Sequence, residues 1–241
     1  MASTILLGSL YLDGHPTRPG IPYTKTNGAI IKLGNSDSAV PIPWIPVGES
    51  LFCTWNLLTE ISMATLVSSY LTSGKRFTID GFLFSCSIPF TGSKMENKEN
   101  EWNRAMAVEN GDNVLWHWRG VRSWCQEQNP SHLSNYWTRG DMSPLTWLSQ
   151  MATATTCCGW RPVLKPVKEY QVQPQIGQEL IVWSNDCCIR GKLMDMTEYD
   201  MLLGSAVYGM GHQNNLFMRM SDGTMVIDRS RINGIQIQFQ S

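Results

Sequence analysis

The residue types able to do covalent or metal chemistry are scattered along this 241-residue chain. Its four histidines stand at positions 15, 117, 132 and 212, far apart and without the spacing of a metal site. The carboxylates form no recognisable acid–base pair, and neither a nucleophile elbow nor a phosphate-binding glycine loop occurs. Seven cysteines (53, 86, 125, 157, 158, 187, 188) form an odd set without CxxC spacing, which suits reduced thiols better than a disulfide frame or a zinc site. The adjacent pairs Cys157-Cys158 and Cys187-Cys188 read as small buried apolar residues, with strained vicinal rings as the alternative. These residues predict a protein with no catalytic residues, no metal and no cofactor.

Binding chemistry has a denser signal. Residues 100–126, NEWNRAMAVENGDNVLWHWRGVRSWCQ, hold Trp102, Trp116, Trp118 and Trp124. An indole offers a wide apolar face and one N–H that needs a partner when buried, so such a cluster builds either an irregular core or the wall of a cleft. Trp102, Trp124 and Trp160 are expected in the core. Arg161, between a glycine-aromatic pair and a proline, is expected to pair with a carboxylate or cap carbonyls inside the fold. Residues 132–156, HLSNYWTRGDMSPLTWLSQMATATT, read as a long loop rich in Ser, Thr, Asn and aromatic residues, the composition of a recognition surface on a rigid scaffold. Tyr136, Trp137, Asp141 and Trp147 are the candidate ligand-binding residues, with Trp116 and Trp118 as neighbours. Packing of the loop itself is the competing reading.

The elements that must position these residues are mainly β, with little helix. Residues 1–50 carry Gly and Pro at short intervals, which predicts brief strands and ordered loops. The best helix lies within 54–71, where Ser62 can cap a short segment running to about Tyr70 before Gly74 stops it. FTIDGFLF at 77–84 reads as a hairpin turning at Asp80-Gly81. KMENKENE at 94–101 is a polar loop or the start of a helix. Residues 166–178 have the Pro/Gly-broken polar composition of a linker, so the expected units are a β-rich segment 1–50, a domain 51–165, and a small β domain 179–241. In that last unit strands are expected at 179–183, 188–196, 201–203, 216–220, 224–227 and 234–240. The final one, GIQIQFQ, alternates strictly, with Ile235, Ile237 and Phe239 on one face and glutamines on the other.

Charged residues make up only 16% of the chain and the formal net charge is −1, so no broad basic field exists to hold nucleic acid or an anionic membrane. The segment MASTILLGSLYLDG lacks a basic leader and a long apolar run, and no window approaches a membrane span. The expectation is a product made without export and without membrane insertion.

Within residues 52–165, FTIDGFLFSCSIPFTGS, NEWNRAM, VLWHWRGVRSWCQE, YWTRG and CCGWRPVLKP, in that order, resemble a group of phage and prophage proteins of Gram-positive bacteria with a C-type-lectin-like fold. Arg139-Gly140, Trp147, the segment 149–158 and Gly159-Trp160-Arg161-Pro162-Val163-Leu164 are similar to the end of the formylglycine-generating-enzyme type of that fold. The resemblance implies that 132–156 forms an exposed ligand face, diversified in some members. The activity of that type needs reactive cysteines near the final strand, where only Cys157 and Cys158 stand. Their neighbours supply no base and, apart from Arg161, little positive charge, so catalysis is not expected.

The C-terminal stretches LIVWSNDCCIRGKLMDMTEYDMLLGSA and GTMVIDRSRINGIQI are similar to the Sm-like small barrel. The resemblance implies a bend at Gly191, a turn region at Asp200 and Met201, closing strands over 226–232, and edge-to-edge assembly into rings. The RNA-contacting Asn of Sm proteins falls at Leu202 or nearby, and Asp228-Arg229 replace their Arg-Gly, which favours assembly over RNA binding. The reading that results is a phage or prophage structural or accessory protein, located in the virion or the host cytoplasm, with a C-type-lectin-like domain followed by a small Sm-like β-barrel. Its expected partners are further copies of itself, other virion proteins or a cell-surface ligand. The alternative is an intracellular phage factor that engages a host protein or RNA.

Overall fold

A computed structural model describes residues 2–92, 99–167, 173–212 and 216–239. Strand accounts for 48% of the chain and helix for 12%, so the fold is mainly β with curled sheets. The polar segment expected at 94–101 falls mostly outside the described residues, as does part of the linker 166–178 and the end of the strand 234–240.

Two six-stranded sheets and a three-stranded one organise the first two-thirds of the chain. The first sheet runs in the order Ile5–Leu6, Pro43–Val47, Ser50–Cys53, Val163–Pro166, Phe82–Ser87, Lys75–Ile79. The second runs Trp147–Met151, His132–Gly140, Arg122–Asn129, Cys158–Trp160, Leu58–Thr59, Ile21–Pro22. Both therefore take strands from residues 1–50 and from residues 51–165. Their strands are short because Pro and Gly interrupt them, and a short strand is stable only when neighbours complete its ladder.

Local signals act where they are strongest. Ser62 accepts a hydrogen bond from the Thr65 N–H at 3.1 Å and starts the helix Met63–Ser68, and the chain leaves it through Tyr70 at φ 59°. Asp80 and Gly81, at φ 51° and 82°, join the strands Lys75–Ile79 and Phe82–Ser87 in the tight turn whose two central residues both need positive φ.

The C-terminal sheet runs Phe217–Arg219, Met225–Asp228, Asp200–Met210, Cys187–Met196, Glu179–Ser184, Gly234–Ile237. The strand expected at 201–203 is much longer, continuing to Met210 against Cys187–Met196, with a register shift beside Gly191. A Cβ at Gly191 would lie 3.0 Å from the Gly204 carbonyl oxygen, so a side chain there would crowd the crossing strand. This sheet buries its own core of Leu180, Val182, Ile189, Leu203 and Ile227. Ile181, Trp183 and Cys188, on its other face, join the main core with Trp44, Phe84, Trp124 and Trp160.

The tail strand shows how the two parts join. Ile235 and Ile237 pack on the sheet's own core, whereas Gln236 is buried against the hairpin at 75–87. Gln236 donates to the Leu83 carbonyl at 2.7 Å and accepts from the Trp183 indole at 3.0 Å. Gln238 donates to the Asp80 carbonyl at 2.7 Å, and the Asp80 carboxylate pairs with Arg190 at 2.7 Å. The alternation in GIQIQFQ thus serves two packed faces, one apolar and one built from amides.

Candidate functional site

The four tryptophans of the 100–126 window are all buried. Each indole N–H donates to a backbone carbonyl: Trp102 to Pro144 at 2.7 Å, Trp116 to Val108 at 3.1 Å, Trp118 to Gly111 at 2.7 Å and Trp124 to Ile61 at 2.7 Å. These carbonyls belong to turns and loops, so the indoles fill the core and fasten irregular backbone in one act. Trp116 and Trp118 consequently have no face to offer a ligand, and their place in the expected binding surface is corrected to the core beneath it.

Two arginines complete this layer. Arg161 is fully buried and donates to the Ser123 hydroxyl at 3.0 Å and to the Cys53 and Trp116 carbonyls at 2.8 Å each. Of the two roles expected for it, capping carbonyls is the one observed. Burial lowers its pKa to about 10, which leaves it charged at neutral pH. Arg139 donates to the Thr91 hydroxyl at 3.1 Å and to Asn103 at 2.7 Å, and lies 4.6 Å from the Trp147 ring centroid. Trp102 sits between these cations, 5.9 Å from the Arg139 guanidinium and 5.6 Å from that of Arg161.

Above this layer, the segment expected to be a loop is a hairpin. His132–Gly140 pairs antiparallel with Trp147–Met151, from Asn135 opposite Met151 to Arg139 opposite Trp147. Aromatic and polar side chains occur on both faces, which hides the period-two alternation from a reading that looks for apolar-in, polar-out. One face carries Leu133, Asn135, Trp137 and Arg139 beside Trp147, Ser149 and Met151. Its inner end is buried, its middle is half-buried, and Leu133 and Met151 at its outer end are 69% and 59% exposed.

Trp137 and Trp147 meet edge to face, with centroids 5.4 Å apart and planes at 76°. Neither indole N–H, itself buried, has a hydrogen-bond partner among the described residues, in contrast to the four tryptophans of the 100–126 window. Beside them, Ser149 Oγ accepts from Asn129 at 2.9 Å and from Asn135 at 3.1 Å. Among the described residues, Trp147–Met151 is the last strand of its sheet and has one neighbour.

The other two expected site residues lie apart from this face. Tyr136 points to the opposite side of the hairpin, packs against the main core, and accepts from Gln128 at 3.2 Å. Asp141, at φ 84°, locks the base of the turn through an ion pair with Arg122 at 3.0 Å and an N–H bond to the Trp118 carbonyl at 2.9 Å. The structure therefore brings together Trp137 and Trp147 and adds Asn135 and Ser149, which the sequence signalled only through the polar richness of the segment.

A second recess, of about 250 Å³, involves no residue expected to bind a ligand. Trp55, Asn56, Thr59, Asn113, His117 and Arg119 line it. The Trp55 and His117 rings stack with centroids 3.6 Å apart. Burial, and then the charge of Arg161, lower the His117 pKa and favour the neutral imidazole. Sequence spacing gave no reason to pair His117 with a tryptophan so far back in the chain.

The buried cysteines are poor nucleophiles. Burial pushes the thiols of Cys53, Cys158 and Cys187 up to about 12 and also raises those of Cys86, Cys125 and Cys188. Among the described residues no group of three His, Cys, Asp or Glu side chains could hold a metal ion, and no helix is long and apolar enough to cross a membrane. Comparison of the chain with protein-family models, with curated proteins and with solved structures finds no match in any of the three.

Proposed function

We propose that this chain is a phage or prophage structural or accessory protein that assembles through its β domains and presents the 132–151 hairpin to a ligand or receptor. The attribution to phage rests on the sequence resemblance, and so does the view of the two parts as a C-type-lectin-like domain and an Sm-like barrel. The observation that carries the binding role is the hairpin face itself. Trp137 and Trp147 lie half-buried edge to face, flanked by Asn135 and Ser149, on a sheet face whose inner end is anchored by Arg139, which stands over the Trp147 and Trp102 rings. A rigid base under an aromatic surface with nearby polar groups is the arrangement that recognition sites use, because little entropy is lost when a partner docks. Assembly is supported by the tail strand Gly234–Ile237, which ends its sheet with a single strand neighbour among the described residues.

The test combines location and binding. The chain should be detected by mass spectrometry in purified particles, and particles carrying Trp137→Ala should adsorb to host cells at least about tenfold less well than the parent, as expected for loss of a central aromatic contact. Absence of the chain from particles, or full adsorption by a folded Trp137→Ala protein, would overturn the proposal.

A further inference from the structure

The recess walled by Trp55 and His117 holds an unmet hydrogen-bonding demand. Asn56 is only 3% exposed, and neither its amide nitrogen nor its amide oxygen has a partner among the described residues. A buried amide with both halves unpaired is costly, and native proteins carry very few of them. The side chain is also held in place. Gly159 packs so tightly on it that a Cβ there would fall 2.8 Å from Asn56 Cβ and Cγ. The adjoining backbone is pinned by the bond from the Leu57 N–H to the Trp160 carbonyl at 2.8 Å and by that from the Gly20 N–H to the Leu57 carbonyl at 2.9 Å.

The wall of the recess is equally specific. His117 ends the helical turn Asn113–Trp116 at φ 43°, a left-handed conformation that glycine adopts without strain and histidine does not. From that position the imidazole lies stacked on Trp55. Exposed Arg119 stands at the rim, its N–H fixed by Asn113 Oδ1 at 2.8 Å. A fixed amide, a flat aromatic wall and a cationic rim in a cavity of about 250 Å³ define a ligand smaller than a drug-sized molecule.

We propose that this recess is a binding site for a small planar molecule that presents a hydrogen-bond acceptor and donor side by side, as a carboxamide or a nucleobase edge does. Asn56 supplies the complementary N–H and C=O, and Trp55 with His117 supplies the flat wall. The site is distinct from the hairpin face and does not depend on the function proposed for it.

Uracil and nicotinamide are suitable probes, with 1,3-dimethyluracil as the control that keeps the ring and loses the N–H donor. Titration of the full chain, followed by calorimetry and by the shift in Tm, should show saturable binding of at least one probe and none of the control. Asn56→Leu should weaken binding about tenfold or more and, because it removes an unpaired buried amide, raise the Tm of the free protein by a few degrees. His117→Gly should weaken binding without lowering the Tm, since glycine suits the backbone there. The proposal is overturned if neither probe saturates or if dimethyluracil binds as well as uracil.

Discussion

At the scale of single residues, the tryptophans divide first by burial, with Trp102, Trp116, Trp118, Trp124 and Trp160 inside and Trp137 and Trp147 half-buried. Where the indole N–H reaches a loop carbonyl, as in Trp102 to Pro144, the side chain fills volume and ties backbone. Trp102→Ala should therefore lower stability by about 3–5 kcal/mol, the usual cost of emptying a large aromatic site. Trp137, half-buried and with no such bond, should cost roughly 1 kcal/mol when replaced by Ala. Thermal or denaturant melts of the two variants measure the difference directly, and equal losses would mean that the hairpin face is only core. The core role of Trp102, Trp124 and Trp160 was legible in their crowding, and so was the carbonyl-capping option for Arg161. The loss of Trp116 and Trp118 to the interior was not legible, because which carbonyl an indole meets is decided by chain segments brought together only in the fold.

Elements were legible where a local rule forces the backbone. Ser62 as a helix cap and Asp80-Gly81 as a two-residue turn both act within a few residues, and both occur as the chemistry demands. The segment 132–156 was misread as a loop because its strands mix aromatic and polar side chains on each face, so composition imitates a loop while pairing makes a hairpin. Gly81 shows how a local rule can acquire a tertiary use. Its φ of 82° disfavours any side chain, and a Cβ would also come 2.6 Å from Gln238 Cγ. Gly81→Ala should thus cost about 1–2 kcal/mol from the left-handed backbone alone and more from the displaced tail. Hydrogen exchange should show that added loss as faster exchange at the Phe239 N–H, which donates to the Gly81 carbonyl at 2.9 Å. A cost confined to the turn, with Phe239 unaffected, would mean that the tail and the hairpin are not coupled.

At the scale of the whole molecule, the tail strand must satisfy three neighbours at once. Its isoleucines close the C-terminal core and its glutamines bond to the 75–87 hairpin. Its backbone pairs inward with Glu179–Ser184. The Gln238 N–H donates inward to the Glu179 carbonyl at 3.0 Å, so alternation turns the Ile237 N–H outward, away from Glu179–Ser184. Proline at 237 would remove that outward donor while sparing the inward ladder. If copies join edge to edge here, light scattering should give a multimer for the parent chain and a folded monomer for Ile237→Pro, with some loss of Tm from the isoleucine packing removed. A monomeric parent would remove self-assembly from the proposed function. A multimer that survives Ile237→Pro would move the contact elsewhere, first to the opposite edge of the same sheet at Phe217–Arg219, where Met218 is 61% exposed.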